Sequence, residues 1–172
     1  ELWEVIVMHE TFLFIISNVI NNLELDHVDF YSDGFQGIIN TFSKVLKGLN
    51  DKSKTIINID NSGSRSLVES NPDKKFITFA IDNPADYIAK NIRYVDLGSK
   101  FIVEKNGKNL GEIEMTIPGK HNIYNALAVI AALVEVGFEF ERIAPYFKDF
   151  TGMGRRFQKV AEFDNIVVID DY

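Results

Sequence analysis

The chain has 172 residues, of which 46% are hydrophobic and 25% are charged, proportions typical of a globular domain with a sizeable core. A formal net charge of −7 and the absence of any Lys/Arg cluster argue against a nucleic-acid-binding protein. The absence of cysteine excludes disulfides and thiolate metal sites, and the apolar run Phe12–Ile20 is too short to span a membrane.

The first half of the chain predicts alternating strands and helices. The β-branched run Leu13–Ile20 and the segment Thr55–Asp60 each have the character of a buried strand. Between them, Phe35–Leu49 has apolar residues at helical spacing. Lys75–Ile81 is a further predicted strand, so this half indicates an α/β fold.

The second half begins with a predicted hairpin. Phe101–Lys105 and Gly111–Met115 flank Asn106-Gly107, a residue pair typical of a two-residue β-turn. A long apolar helix follows, and Gly137 is its stop signal. The remaining predicted elements are a short helix within Phe140–Phe147, a linker at Thr151–Gly154 and a strand at Ile166–Ile169.

A Pro118-Gly119 turn leads into a helix with a polar first turn. His121, Asn122 and Asn125 lie where free backbone N–H groups favour an anionic ligand. Asn122 and Asn125 are three residues apart and so share one side of the helix. An amide has both the donor and the acceptor needed to read a purine edge. The alternative is that Asn122 only caps the helix.

Three parts of the sequence resemble motifs of the Mur ligases, the ATP-dependent amide-forming enzymes of peptidoglycan precursor synthesis. Residues 119–128 (GKHNIYNALA) resemble the family motif Gly-x-His-Asn-x-x-Asn-Ala, and residues 22–31 (NLELDHVDFY) resemble Asn-x-x-x-Asp-His-x-Asp-x-Tyr. Residues 154–157 (GRRF) and 167–172 (VVIDDY) are similar to elements of the branch that adds L-alanine to UDP-N-acetylmuramate. All three occur in the family's order.

The resemblance implies a fold and a division into domains. The expected fold is the α/β central domain of a Mur ligase, a P-loop-type, mostly parallel sheet with flanking helices and a small antiparallel β-hairpin subsheet. Residues 1–150 would be the latter part of this ATP-binding domain, and 151–172 a linker with the first strand of a Rossmann-like C-terminal domain. The chain has no Gly-x-x-x-x-Gly-Lys-Ser/Thr phosphate loop and stops at Tyr172, so we expect a fragment truncated at both ends.

His27 is the predicted metal ligand. It follows a predicted strand, in a loop that also contains Glu24, Asp26 and Asp29. Imidazole and carboxylate groups at the carboxyl end of a strand suit Mg²⁺, although many acidic loops are simply solvated. The matching histidine of the Mur ligases is a Mg²⁺ ligand. The family's second ligand is a glutamate further upstream, to which Glu4 lies nearest.

Arg156 and Asp171 are the predicted phosphate and ribose ligands. A guanidinium suits phosphate oxygens in a transition state, although Arg155-Arg156 could equally be a solvated pair. The resemblance places Arg156 at the ATP phosphates and gives it, with His27, a catalytic role. The family counterpart of Asp171 binds a ribose hydroxyl. The expected ATP ligands are therefore His121, Asn122, Asn125, Arg156 and Asp171.

The implied reaction is the ATP-dependent joining of a carboxylate to an amine. The carboxylate of UDP-N-acetylmuramate would attack the γ-phosphate of ATP, and the amine of L-alanine would then attack the resulting acyl phosphate. Mg²⁺ and cationic groups would stabilise the developing charge. We expect no nucleic-acid partner, and a cytoplasmic location because the N-terminus has no secretory signal.

Three alternatives remain open. Asn21-Asn22-Leu23-Glu24 favours the recycling ligase that attaches a murein tripeptide to UDP-N-acetylmuramate, whereas Met153–Phe157 favours alanine addition. Folylpolyglutamate synthase shares the architecture but generally has Gln in place of His121-Asn122. The third alternative is a catalytically inactive nucleotide-binding or assembly module, because the chain lacks the phosphate loop.

Overall fold

The computed structural model describes residues 17–25, 31, 33–50, 52–152, 158–164 and 166–170. These residues form two sheets and five helices. The strands are β1 (Ser17–Ile20), β2 (Lys54–Asn58), β3 (Phe76–Ala80), β4 (Tyr87–Val95), β5 (Gly98–Lys105), β6 (Lys108–Met115), β7 (Gln158–Phe163) and β8 (Ile166–Asp170). The helices are α1 (Phe35–Gly48), α2 (Ser62–Glu69), α3 (Lys120–Glu135), α4 (Phe140–Ile143) and α5 (Tyr146–Asp149). Within these ranges, no helix is long and apolar enough to cross a membrane.

The larger sheet has its six strands in chain order, from β1 to β6. Strands β1 to β4 are parallel to one another, and β5 and β6 are antiparallel to their neighbours. Helix α1 connects β1 to β2 and α2 connects β2 to β3, as parallel pairing requires. The predicted α/β fold, with its mostly parallel sheet, flanking helices and antiparallel hairpin, is therefore confirmed.

Each face of the sheet is covered by its own hydrophobic cluster, because successive strand residues point to opposite sides. Ile57 packs in the cluster that includes Ile38 and Ile39 of α1 and Leu67 of α2. Its neighbour Ile56 packs in the other cluster, which takes its helical members mainly from α3. The domain is thus a three-layer sandwich, with α1 and α2 on one face and α3 on the other.

The link between β3 and β4 is unusually short for two parallel strands. Such a connection normally needs a dozen or more residues, yet here only residues 81–86 intervene. The pairing explains this, because Tyr87 lies opposite Phe79 and β4 therefore begins level with the end of β3. The chain steps sideways and continues in the same direction, so no helix is needed.

Several elements agree with the sequence and three were missed. The Asn106-Gly107 hairpin, α1, β2, β3 and β8 all form close to their predicted positions, and β1 is described only from Ser17 onward. The segment predicted as one short helix forms two, α4 and α5, separated at Pro145. The missed elements are β4, α2 and β7; β7 pairs with β8 in the small second sheet.

A bulge in β4 explains why its pattern was not recognised. Tyr87 and Ala89 are buried, as alternation requires, but Asn91 has a φ of 53° and the register with β5 shifts between Lys90 and Arg93. After the bulge, Ile92 packs on the core instead. The buried positions therefore change from odd to even numbers within one strand, which hides its period.

The carboxylate of Glu135, at the end of α3, ties this helix to three strands. It accepts hydrogen bonds from Lys54 Nζ at 3.0 Å and Tyr87 Oη at 2.9 Å, and Lys105 Nζ lies 2.8 Å away. Burial alone would raise the pKa of Glu135, but the bonds from Lys105, Lys54 and Tyr87 outweigh it and lower the pKa to about 2. Burial and the same carboxylate raise the pKa of Tyr87.

Replacing Glu135 with Gln should destabilise the protein in a pH-dependent way. The loss should be about 1–3 kcal/mol, because two ammonium groups lose their carboxylate. A carboxyl whose folded pKa is lowered from 4.5 to about 2 contributes its stability fully above pH 4.5 and loses it as the pH falls towards 2. Unfolding measured from pH 7 to pH 2 should show the wild-type advantage shrinking below pH 4.5.

Glu112→Gln is the matched control for this experiment. Glu112 pairs with Arg93, and both side chains are exposed. Exposed pairs contribute about 0–1 kcal/mol, so this variant should stay close to wild type throughout the range. Equal losses in the two variants, or a Glu135→Gln difference that does not change with pH, would contradict the role given to the Glu135 carboxylate and its three donors.

Candidate functional site

Polar segments from three strands meet the first turn of α3 at one edge of the sheet. Because β1, β2 and β3 are parallel, their carboxyl ends share an edge, and the segments 21–25, 59–61 and 81–83 follow directly from them. In open α/β sheets, ligands bind at this edge. The predicted residues His121, Asn122 and Asn125 lie here.

The first turn of α3 begins at Gly119, whose φ of 102° is one that residues with a side chain rarely adopt. A Cβ atom on Gly119 would lie 2.6 Å from the His121 ring, so the ring folds back over the glycine. The His121 side chain is exposed. Gly119 is the N-cap residue, and Asn122 donates through Nδ2 to the Pro118 carbonyl at 2.6 Å. Asn122 therefore fixes the turn and does not cap the helix.

Asn125 contacts a residue 104 positions away in the sequence. Its Oδ1 accepts a hydrogen bond of 2.8 Å from Asn21 Nδ2, which joins α3 to the segment after β1. Asn125 is exposed, and the buried Oδ1 of Asn21 has no hydrogen-bond partner within the described ranges. Asn122, the third residue of α3, and Asn125, the sixth, thus have separate partners. The sequence pointed to Asn21 only as part of the Asn21–Glu24 string, and it did not indicate this contact.

Asp60 is the main site residue that sequence reasoning missed. Its Oδ2 accepts from the backbone N–H groups of Ile81 at 2.6 Å and Asp82 at 2.9 Å, and from Tyr124 Oη at 2.8 Å. Its Oδ1 accepts from Asn83, through the backbone N at 2.9 Å and through Nδ2 at 2.7 Å. The available indication of this site residue was a group of three polar residues at the end of a buried strand: Asn58, Asp60 and Asn61.

These contacts set the ionisation of Asp60 and Tyr124. Burial alone would raise the pKa of Asp60, but the hydrogen bonds, led by those of Asp82 and Ile81, lower it below its usual value. Burial, then the hydrogen bond to Asp60 and its charge, raise the pKa of Tyr124 to about 12. Near neutral pH, Asp60 is therefore a carboxylate and Tyr124 a phenol that donates to it.

Lys120 makes a second link between α3 and the segment after β3. Its Nζ lies 2.6 Å from Asp82 Oδ2 and 5.7 Å from the centre of the Tyr124 ring. The hydrogen bond to Asp82 raises the pKa of Lys120. Both partners of this ion pair are exposed, so it contributes little stability but keeps a cation at the helix start.

Asn61 and Gly63 hold the segment after β1 against α2. Asn61 Oδ1 caps α2 by accepting from Ser64 N at 2.8 Å, and it also accepts from Leu23 N at 3.1 Å. The Leu23 carbonyl lies so close that a Cβ on Gly63 would be 2.1 Å from its oxygen. This position tolerates no side chain without moving the segment that leads towards His27.

Gly63→Ala should therefore destabilise the protein by about 1–3 kcal/mol or more, as overpacking does. Gly48→Ala is the control, since Gly48 also lies in a helix but a Cβ added to it would meet nothing within 4 Å. That change should be neutral or stabilise by up to about 1 kcal/mol. Thermal unfolding of the two variants tests this, and equal melting temperatures would show that the Leu23 contact is unimportant.

The other predicted site residues lie outside the described residues: Glu4, His27, Arg156 and Asp171. Within the described ranges, no three His, Asp or Glu side chains group closely enough to hold a metal ion. Glu24 is described and exposed, and its Oε1 accepts from Asn22 Nδ2 at 3.2 Å.

A three-layer α/β sandwich with polar segments at the carboxyl edge of its sheet is an architecture that many nucleotide-binding domains share. The family model described as the Mur ligase middle domain matches residues 12–133. The chain belongs to the Mur ligase family. It is 37% identical over 154 residues to the UDP-N-acetylmuramate–L-alanine ligase of Geotalea daltonii, covering 90% of this chain and 33% of that protein. The chain thus spans about a third of the length of this curated relative.

Solved structures agree with this assignment. The UDP-N-acetylmuramate–alanine ligase MurC from Thermotoga maritima matches with a TM-score of 0.77 and 27% identity, over 91% of this chain and 34% of that one. The UDP-N-acetylmuramate:L-alanyl-γ-D-glutamyl-meso-diaminopimelate ligase of Neisseria meningitides matches with a TM-score of 0.67 and 25% identity, over 80% of this chain and 40% of that one. The expected family and its central-domain fold are confirmed.

Proposed function

We propose that this chain provides the adenine-binding edge of an ATP-dependent ligase that joins L-alanine to UDP-N-acetylmuramate. The observation that carries the proposal is the polar first turn of α3, where exposed His121 and Asn125 flank the carboxyl edge of the parallel sheet. This turn lies inside the segment matched by the Mur ligase model. The similarity to a protein named as that ligase supports the choice of substrates.

The donor set at this edge fits a nucleotide. At the start of α3 the N–H of Asn122 donates to the Gly119 carbonyl at 3.0 Å, which leaves the N–H groups before it for an anion, and the Lys120 cation, paired with Asp82, lies beside them. Asn125 offers an amide at the surface, and the buried Asn21 Oδ1 is an acceptor without a donor among the described residues. Together these groups suit a base that carries both donors and acceptors.

The remaining roles come from the family resemblance. Arg156 would contact the ATP phosphates and Asp171 the ribose, while His27 and Glu4 would hold Mg²⁺. When bound, this ion would neutralise phosphate charge. The loop that leads to His27 starts at the same sheet edge and contains carboxylates, which are ligands that Mg²⁺ prefers. Residues 1–150 would belong to the central domain and 151–172 to the linker and the next domain.

In the proposed reaction, the carboxylate of UDP-N-acetylmuramate attacks the γ-phosphorus of ATP and ADP leaves. The amine of L-alanine then attacks the acyl carbon, and phosphate leaves as the amide forms. The share of this chain is to bind and orient the nucleotide: His121, Asn122 and Asn125 hold the base. Fixed orientation supplies much of the acceleration in such reactions.

The murein-peptide recycling ligase is the second candidate. The Asn21–Glu24 sequence favours it, and so does the similarity to a solved ligase that acts on a peptide. Both candidates use UDP-N-acetylmuramate and differ in the amine. Assaying the full-length protein with L-alanine and with the tripeptide separates them, and no ATP-dependent product with either would favour an inactive binding module.

Asn125→Leu should raise the KM for ATP about tenfold or more in the full-length protein, because a ligand-facing hydrogen-bonding group is worth about 1–3 kcal/mol. Leu is a good helix former, so α3 should persist. The KM for the amino acid should stay nearly unchanged, and discrimination between ATP and GTP should narrow. Steady-state kinetics with each substrate varied in turn measures these effects.

Asn40→Leu is the matched control, since Asn40 is also an exposed helical asparagine with one amide partner, Gln36 at 3.1 Å. It should leave the KM for ATP at the wild-type value. If Asn125→Leu lowers the melting temperature but leaves the ATP dependence unaltered, the contact with Asn21 serves only the fold. The adenine assignment would then be withdrawn.

His27→Ala should weaken Mg²⁺-dependent turnover far more than it lowers the melting temperature. A metal ligand contributes mainly to binding the ion, so the Mg²⁺ concentration for half-maximal activity should rise. Activity measured over a Mg²⁺ titration, beside thermal unfolding of the same variant, tests this. A large loss of stability with an unchanged Mg²⁺ requirement would identify His27 as a core residue.

A further inference from the structure

We propose that Asp60 is a positioning residue for the nucleotide site, acting through Tyr124 and the segment 81–83, an assignment that depends on the function proposed above. Asp60 lies two residues after the end of β2 and bonds to two neighbours of the site at once. One is the segment after β3 and the other is the first turn of α3. Its carboxylate therefore sets their relative position.

The carboxylate of Asp60 has no capacity left for a ligand. Its two oxygens accept five hydrogen bonds, three at Oδ2 and two at Oδ1. A carboxylate has about four lone-pair sites, so all of them are in use. A further ligand would have to displace a backbone N–H or the Tyr124 hydroxyl. Asp60 is therefore suited to holding its neighbours in place and not to binding substrate.

Tyr124 transmits this position to the residues that would contact the base. It lies directly before Asn125 and three residues after His121 in the same helical turn. Its hydroxyl, 2.8 Å from Asp60 Oδ2, pins that turn to the end of β2. The Lys120–Asp82 pair adds a second link, and the backbone N of Asp82 is itself held by Asp60. Without Asp60, both links lose their fixed end.

The opposite end of α3 provides a comparison within the same helix. There, Tyr87 Oη donates to Glu135 Oε1 at 2.9 Å, which is the same kind of tyrosine–carboxylate bond. That bond lies at the C-terminal end of α3. Because the helix is sixteen residues long, this end is far from the first turn. Deleting either hydroxyl removes the same chemical group, and only the Tyr124 hydroxyl is linked to the proposed nucleotide site.

Tyr124→Phe and Tyr87→Phe in the full-length protein test the assignment. Tyr124→Phe should raise the KM for ATP, and the dissociation constant of β,γ-methylene-ATP, about three- to tenfold, because positional freedom returns to the first turn of α3. The KM for the amino acid should not change. Tyr87→Phe should lower the melting temperature and leave both nucleotide constants at wild-type values.

Asp60→Asn completes the design. The new amide group places an N–H donor against N–H donors that Asp60 normally accepts from. The effect of Asp60→Asn on the KM for ATP should therefore exceed that of Tyr124→Phe. Combining the two changes should have less than the sum of their separate effects, because the Tyr124 contact is one of those that Asp60→Asn disturbs. Additive effects in the double variant would contradict the proposed route through Tyr124.

Asn125→Leu, measured in parallel, separates the two levels of failure. If it raises the KM for ATP while Tyr124→Phe does not, the nucleotide site stands and the positioning role of Asp60 is overturned. Equal drops in melting temperature for the two tyrosine variants, with no change in nucleotide constants, would overturn that positioning role as well. If neither Asn125→Leu nor Tyr124→Phe changes nucleotide binding, the proposed nucleotide site itself is wrong.

Discussion

The backbone of residues 81–83 turns away from the sheet and leaves three N–H groups that need acceptors. The bond from the Ile81 N–H is partly buried, where an unpaired N–H costs free energy comparable to a lost hydrogen bond, and the bonds from Asp82 and Asn83 are exposed. The carboxylate of Asp60 accepts all three, from Ile81, Asp82 and Asn83. These bonds hold the start of the six-residue connection that leads from β3 into β4, and through β4 to the antiparallel half of the sheet.

The far end of the same connection is fixed in a similar way. Asp86 Oδ2 accepts from the backbone N and the hydroxyl of Thr78 at 2.7 and 2.8 Å, and its own N–H donates back to that hydroxyl at 2.9 Å. Two carboxylates thus hold the two ends of the connection against β2 and β3. Because one of them also holds Tyr124, the geometry of the sheet and that of the α3 helix start are determined together.

Local patterns were sufficient for part of this architecture. The Asn106-Gly107 pair and the helical spacing of α1 are encoded within a few residues, and so is the polar first turn of α3. Strand β4 was not recognised because a bulge at Asn91 shifts the alternation of its buried residues. Helix α2 was not recognised because it is rich in Ser and Gly, which are weak helix formers. Contacts such as Asn21–Asn125 join residues 104 apart, and no local pattern encodes their meeting.

The agreement between strand order and chain order has a consequence for folding. Among the described residues, each strand of the larger sheet after β1 pairs with the strand before it, so these six strands can assemble one edge at a time without inserting a strand between two others. Pairing between strands that are adjacent in sequence closes shorter loops than pairing across an intervening strand would. The bond between Asp60 and Tyr124 spans 64 residues and encloses the hairpin of β5 and β6, so it closes a longer loop than any strand pairing within the sheet. The contacts at the carboxyl edge of the sheet therefore carry the larger loop-closure entropy.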